Sequence, residues 1–374
     1  MKFLHLADLH LGKRLNDFSF LEDQVRLLCQ VEEIARSERA DAVLIAGDVY
    51  QKASPQSEAM AAFDQFITRL KEMGLAVFVI SGNHDSAQRI SYFSSLLKNS
   101  GVYVSEAFDG HLQQVTLQDE HGELVVSLLP FLKPIQVRRF YPDEKIETYQ
   151  DAVQAVLRHS PVDTAKRNVL VCHQFITGAE ISDSEEKTVG GLDNIDAAVF
   201  ADFDYVALGH IHKPQKCTRD TLRYAGSLMK YSFSEVNQKK SVAVVEMGEK
   251  GEVSVHIVPL NAPHDMRLVE GMLDEVMAMP YSEDYVWVTL RDELPPPDAR
   301  VTVSTVFPNM MKFSVVNSKT KTDIDVLARE AMENKSPEEL FTDFYRLQNN
   351  DCPPGPRHME ILRSLRKELE GEIR

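Results

Sequence analysis

The strongest constraint on what this chain can become is a set of short apolar runs, most of which stop at a residue able to hold a metal ion. Strands are expected at 2–7 (KFLHLA), 42–46 (AVLIA), 75–80 (LAVFVI), 124–129 (LVVSLL), 168–172 (NVLVC) and 204–208 (DYVAL). Runs this short and apolar throughout suit strands buried on both faces. Between the first three lie helical patterns. Leu21, Val25, Leu28 and Val31 recur at helical spacing over 20–36, and a second pattern over 57–73 stops at Gly74. Strand, helix, strand in repetition gives an α/β core with helices outside a largely buried sheet. Strands at 222–226, 241–246 and 253–258 follow across short turns and should pair as hairpins.

The residues after the runs carry the chemistry. They are Asp8-Leu9-His10, Gly47-Asp48, Asn83-His84, His173, and Gly209-His210-Ile211-His212. In an open α/β sheet the carboxyl ends of the strands share one edge, where ligands bind. Residues two apart in extended backbone point the same way, so Asp8 with His10 and His210 with His212 can each act as a pincer. Glycines before Asp48, Asn83 and His210 let the backbone turn sharply and come close to a ligand. Carboxylates, an amide oxygen and imidazoles, without a thiolate, suit manganese, iron or zinc. Each element alone is an ordinary turn, since Ser, Gly, Asn and Asp are turn residues. Their recurrence at successive strand ends is what points to a site.

The pattern changes near 259–265. A helix at about 266–279, a strand at 285–291, the stiff Leu294-Pro-Pro-Pro297 and a strand near 300–306 describe a small appended α/β unit. Ser336-Pro337-Glu338-Glu339 reads as a helix start, with Ser as cap and Glu three residues on. Apolar Leu340, Phe341, Phe344, Tyr345 and Leu347 follow at helical spacing, and a charged helix over 356–371 comes after Cys352-Pro-Pro-Gly355. The expected organisation is 1–262, 263–320 and a helical tail, 321–374.

A formal net charge of −16 argues against a sequence-unspecific DNA coat, which carries a basic face. It leaves a nuclease open, because bound cations change the local charge. Four scattered cysteines without a C-x-x-C pair read as reduced thiols. No apolar run approaches the ~20 residues that span a bilayer. Asp8 arrives too early for a signal-peptide core, so the cytoplasm is the expected setting.

Taken in order, Asp8-x-His10, Gly47-Asp48, Gly82-Asn83-His84-Asp85, His173 and Gly209-His210-x-His212 resemble the calcineurin-like metallophosphoesterase superfamily. FLHLADLHLGK (3–13), the motif spacing, and Tyr224-Ala-Gly-Ser-Leu228 leading to Ser232-Phe-Ser-Glu235 resemble more narrowly its branch of bacterial DNA-repair nucleases. The resemblance implies a four-layer sandwich, two sheets between helices, with a small α/β capping domain and a helical tail. It implies two divalent metal ions, most simply Mn2+, with Asp48 bridging. Asp8, His10 and His212 would join Asp48 at one ion, and Asn83, His173 and His210 at the other. His84 would contact the phosphate and serve the leaving oxygen. Asp85 could orient that imidazole or cap the next helix, and capping is the expected role.

The implied activity is two-metal hydrolysis of DNA, as a double-strand exonuclease and a single-strand or hairpin endonuclease. The implied partners are DNA, a second copy of the chain through an Ile90, Phe93 and Leu97 stripe, and a coiled-coil, SMC-like ATPase docked on the C-terminal helices. Where archaeal and eukaryotic relatives carry a further His, three residues after the bridging Asp, this chain has Gln51. A protein phosphatase is disfavoured, because Gly47-Asp-Val-Tyr-Gln-Lys-Ala53 and Ser81 lack the phosphate-gripping arginines. A phosphodiesterase acting on nucleotides or other small diesters, and a partner-binding scaffold with an inactive site, are the alternatives. Lys13, Arg14, Lys133, Arg138, Arg139, Lys213 and Lys216 lie near motif loops or connections and are candidates for contact with DNA phosphates, with solvated surface charge the default role of any one of them. His5 reads as a satisfied core residue, and His111, His121, His159, His256, His264 and His358 as surface or structural.

Overall fold

The computed structural model describes residues 1–185, 194–317, 336–349 and 352–372, and divides into two compact units, Met1–Met266 and Arg267–Arg374. The first unit is built on two six-stranded sheets and also holds a two-stranded hairpin, β2 (Arg14–Leu15) with β3 (Phe18–Ser19). In order, one sheet holds β14 (Val253–Pro259), β13 (Ser241–Met247), β1 (Lys2–Leu6), β4 (Ala42–Ala46), β5 (Ala76–Ile80) and β6 (Val102–Val104). The other holds β11 (Gln215–Lys216), β12 (Leu222–Tyr224), β10 (Tyr205–Gly209), β9 (Arg167–His173), β8 (Gly122–Leu129) and β7 (Gln113–Asp119). β1, β4, β5 and β6 run parallel, as do β8, β9, β10 and β12, so the apolar runs all end toward one edge of their sheet.

Alternation along the strands decides the layering. Phe3, Ala42, Leu44 and Phe78 of the first sheet pack with Val126, Leu128, Val169, Val171 and Tyr205 of the second in one buried cluster. The intervening residues Leu170, Cys172, Val206 and Leu208 face the helix Tyr149–His159 and bury its Ala152, Val153, Ala155 and Val156. That helix starts at a capping box in which Thr148 Oγ1 accepts from Asp151 N and Asp151 Oδ2 accepts from Thr148 N. The helices Leu21–Glu38 and Ser57–Glu72 pair with each other, and Ser57–Glu72 lies against β5. The result is a four-layer α/β sandwich with one core between the sheets and another between the second sheet and its helix. His5 sits between the sheets, neutral, with Nδ1 bonded to Tyr205 Oη and Nε2 to the Leu208 carbonyl.

Several local expectations are corrected. β13 and β14 form the expected hairpin, but β12 joins the other sheet, parallel to β10 and antiparallel to β11. The expected helix over 266–279 is β15 (Met266–Gly271) followed by a short helix, Leu273–Met277. The expected strand at 300–306 is the helix Ala299–Ser304, and the sheet takes β16 (Tyr285–Leu290) with β17 (Met310–Val315) instead. Ile90, Phe93 and Leu97 do not form one helical stripe. Ala87–Ile90 and Ser94–Leu97 are separate short helices with Phe93 left-handed between them, at φ 66°. Tyr92, Phe93 and Leu96 are the exposed apolar residues of that segment.

In the tail, the Ser336 capping box forms, Ser336 Oγ accepting from Glu339 N at 3.3 Å. The helix Pro337–Gln348 meets Pro356–Glu372 through Tyr345 and His358, whose ring centroids are 4.9 Å apart. Residues 321–335 and the Leu347 side chain lie outside the described residues. Among those described, no helix is long and apolar enough to cross a membrane.

Candidate metal centre

Parallel β1, β4, β5, β9 and β10 deliver Asp8, Asp48, Asn83, His173 and His210 to neighbouring strand ends. The turns that aim them are costly. Asp8 (φ 51°), His10 (44°), Asp48 (49°) and His210 (101°) all occupy left-handed backbone, which side chains other than glycine avoid. Such residues typically cost about 1–3 kcal/mol each and persist only where surrounding bonds hold them. Asp8 N donates to the Gly47 carbonyl, His10 N to the Asp48 carbonyl, and His210 N to Asp8 Oδ1, at 3.1, 2.9 and 3.0 Å. Close approach also demands glycine. A Cβ on Gly82 would lie 2.1 Å from Asp48 Oδ1, and one on Gly209 would lie 1.9 Å from the Ala46 carbonyl oxygen.

Eight expected site residues come together, and all are buried or half-buried. Ligand atoms of Asp8, His10 and His212 lie within 4.8 Å of one another, as do those of His10, Asp48 and His84, and those of Asp8, Asp48 and His173. Asn83 Oδ1 completes the group, 3.0 Å from both His173 Nε2 and His210 Nδ1. His84 is held by its backbone N, which donates to Asp48 Oδ1 at 2.9 Å, and by Nδ1, 3.2 Å from the Gln51 carbonyl.

The donor set fits cations. His173 Nδ1 sits 2.8 Å from the Ala46 carbonyl and so carries a proton. Its Nε2 then faces Asn83 Oδ1 and, at 3.5 Å, Asp48 Oδ2, two groups that only accept. Something positive belongs there, and in this state a proton supplies it. Burial works to lower the His173 pKa, but the Asp48 carboxylate outweighs it and lifts the group to about 9. Burial opposes ionisation of Asp48 too, yet His173 and the other imidazoles hold it well below the carboxylate range. Burial raises Asp8 to about 6 and lowers His210 to about 3 and His10 well below its ordinary value. At the other end His10 Nε2 and His212 Nε2 are 3.1 Å apart. His212 Nδ1 lies 2.7 Å from Ser184 Oγ and 3.5 Å from Glu235 Oε1, which places its proton at Nδ1 and its lone pair toward His10.

Asp85 does not take the role expected of it. It caps no helix, since no side chain caps the short helix after Ser86. Its carboxylate accepts from Val49 N, Tyr50 N and Gly82 N at 2.9–3.0 Å, tying the loop after Asp48 to the loop before Asn83. Burial, then the nearby Asp48, raises it to about 7, against these bonds.

Sequence reasoning missed the support behind His212. Glu235, fully buried, faces the ring and binds Lys240 Nζ at 2.6 Å, and Lys240 also donates to the His212 carbonyl, Ser227 Oγ and Gln238 Oε1. Glu185 Oε1 accepts from His212 N at 2.8 Å. Glu235 ends a stretch that carries the family resemblance, but no spacing rule ties it to a strand end.

Two facing sheets with a cluster of acids, imidazoles and an amide at their strand ends define a calcineurin-like phosphoesterase, and the calcineurin-like phosphoesterase family model matches residues 1–214. A second model, the type 5 capsule protein repressor C-terminal domain, matches residues 262–349. The SbcD component of the SbcCD nuclease of Staphylococcus epidermidis is 33% identical, over 84% of this chain and 86% of that protein. Its counterpart from Staphylococcus saprophyticus is 32% identical, over 83% and 84%. The chain therefore belongs to the SbcD family of calcineurin-like phosphoesterases. Among solved structures, a dimetal phosphatase from Danio rerio is 12% identical with a TM-score of 0.41, over 70% of this chain and 99% of that one.

Proposed function

We propose that the chain is a metal-dependent DNA nuclease, the hydrolytic component of an SbcCD-type repair and recombination complex in the cytoplasm. It would cut duplex ends as an exonuclease, and single strands and hairpins as an endonuclease. The observation that carries this reading is the convergence of imidazole nitrogens and acceptor oxygens on two places. His173 Nε2 meets Asn83 Oδ1 and Asp48 Oδ2, and His212 Nε2 meets His10 Nε2.

Asp8, His10 and His212 would hold one ion and Asn83, His173 and His210 the other, with Asp48 common to both. Oxygen and imidazole donors suit manganese, iron or zinc, and of these manganese is the ion we propose. Such a pair supplies a nucleophile at neutral pH and clamps the phosphodiester. The chain's own work is orientation and proton handling. Its Ala46 carbonyl and Ser184–Glu235 pair fix the tautomers of His173 and His212. With Nδ1 on the Gln51 carbonyl, His84 would offer Nε2 to the leaving oxygen as a proton donor.

End-labelled duplex with manganese, beside His84→Ala and a chelator control, tests the assignment. Cleavage by the wild type, lost in a variant that still binds manganese, supports it. If DNA survives while a small phosphodiester is hydrolysed, the small-diester alternative takes its place.

For the whole chain we assign catalysis to 1–262, a capping role to 263–320 and docking to 321–374. An SbcC-type ATPase would dock on the tail helices, where Phe344 is 62% and Ile361 51% exposed. Deleting 320–374 is expected to abolish co-purification with that ATPase and spare hydrolysis of a small diester. A homodimer would use the exposed Tyr92, Phe93 and Leu96, and Leu96→Asp is expected to give a monomer in sedimentation.

A further inference from the structure

Beside the metal centre sits a cation with an unusual setting. Lys13 is half-buried, in a turn where its N donates to the His10 carbonyl and its carbonyl accepts from Phe20 N. Among the described residues, Lys216, Lys230 and Lys240 each pair with a carboxylate, at 2.9, 2.8 and 2.6 Å, and Lys213 pairs with Glu180. Lys13 makes no such pair. Its ammonium is 3.2 Å from the neutral amide oxygen of Gln51, and 5.1 Å from the centroid of Tyr231. That ring abuts both His10 and His212, at 5.6 Å between centroids. Asp48, Asp8, Glu185 and Glu235 attract the ammonium without touching it.

Gln51 joins the ammonium to the imidazole. Its side chain positions Lys13 while its carbonyl positions His84, so both hang from one residue. Past Gln51 the surface continues into a hollow of about 160 Å³ lined by Gly12, Arg14, Lys52 and Ser54. In a chain of net charge −16, a cation that is not neutralised at this spot counters the repulsion of an anionic strand.

We propose that Lys13 is a substrate-binding residue whose ammonium takes a non-bridging oxygen of the phosphodiester presented to His84. This rests on the nuclease reading of the same centre. Lysine acts here as a point charge on a flexible stem, so an arginine serves partly in its place. Gln51, standing where relatives have a further His, becomes the positioning residue for this cation.

The test compares wild type, Lys13→Ala, Lys13→Arg and the surface control Lys216→Ala, all in manganese. The substrates are bis(p-nitrophenyl) phosphate and a labelled duplex, and duplex binding is followed in calcium across a salt series. Lys13→Ala is expected to lower kcat/KM on both substrates about 10- to 100-fold, the scale of a lost hydrogen bond to a charged group. It should flatten the slope of log affinity against log salt by about one. Lys13→Arg should recover most of both, and Lys216→Ala should match the wild type. Should Lys13→Ala fail to fold, Lys13→Gln keeps the stem and removes the charge. Unchanged kinetics and salt slope in a folded variant overturn the proposal. So does a loss of activity that Arg does not relieve and that leaves the salt slope intact, since that is a structural role. A wild type that cuts neither substrate and binds no duplex removes the nuclease reading itself, visible without any variant.

Discussion

Replacing Glu235 by Gln tests whether the buried pair behind His212 acts on the metal centre or only on the fold. The change keeps size and one acceptor oxygen but removes a charge at a fully buried position. Two effects follow. Lys240, only 5% exposed along its side chain, loses its carboxylate at 2.6 Å. Stranding a buried charge costs about 3–5 kcal/mol, but the His212 carbonyl, Ser227 Oγ and Gln238 Oε1 still accept from Lys240. The lower end, about 3 kcal/mol, is therefore expected. Second, His212 loses the anion beside Nδ1, and such partners typically govern 10- to 100-fold in metal affinity.

Urea unfolding of the metal-free protein reads the first effect, and manganese titration calorimetry the second. Burial raises the Glu235 pKa, but His212 and Lys240 outweigh it and hold it near 2. A depressed acid stabilises above its unfolded value, roughly 4.3, and that stability fades as pH falls toward the folded one. The wild type should thus lose its advantage over Glu235→Gln between about pH 4 and pH 2. Lower stability with unchanged manganese affinity would refute the orienting role. In a cycle with Lys240→Met, the double variant should be more stable than the sum of the single losses predicts.

Gly82→Ala, with its Cβ 2.1 Å from Asp48 Oδ1, is expected to abolish manganese binding by calorimetry while the β-sheet signal in circular dichroism persists. Asp119 binds both the buried Arg167 guanidinium and the Met1 amino group, and Arg167 first among these holds its carboxyl well below the usual range. Asp119→Asn should cost about 3 kcal/mol at pH 7 in thermal unfolding, and that difference should shrink below about pH 4, where the unfolded chain's Asp119 takes up a proton that the folded carboxylate still refuses. Phe78, fully buried and stacked on Tyr103 at 4.9 Å between centroids, should lose about 3–5 kcal/mol as Phe78→Ala in urea unfolding.

The sandwich was legible because parallel strands covered on both faces read as unbroken apolar runs, and a run's end can be seen in one dimension. The small unit was not. In β15 the buried residues are Met266 and Val269, three apart, which mimics one side of a helix. In the helix Ala299–Ser304 the β-branched Val301-Thr-Val303 stretch suggested a strand, yet Ala299 and Val303 are the buried pair, four apart, and Val301 is 70% exposed. Packing overrode propensity in both. Around the site, residues at strand ends were visible from their position, whereas Ser184, Glu185 and Lys240 reach His212 from loops and Glu235 from the short 3-10 helix Phe233–Glu235, none with a periodicity to read. The role of Asp85 escapes the sequence because its partners are backbone amides, which a sequence does not display.

Order of synthesis gives the sheet layout a further meaning. Asp8 and His10 leave the ribosome first, but His210 and His212 are two hundred residues behind them. β1 gains its antiparallel neighbour β13 only once Met247 has been made. Contacts this distant along the chain form late, after the local helices and hairpins. A nascent chain thus carries an unfinished first strand and half a set of donors through most of translation. Any fragment ending before β10 lacks both His210 and His212, one from each proposed ion's donor set, so tight ion capture would mark a completed first unit.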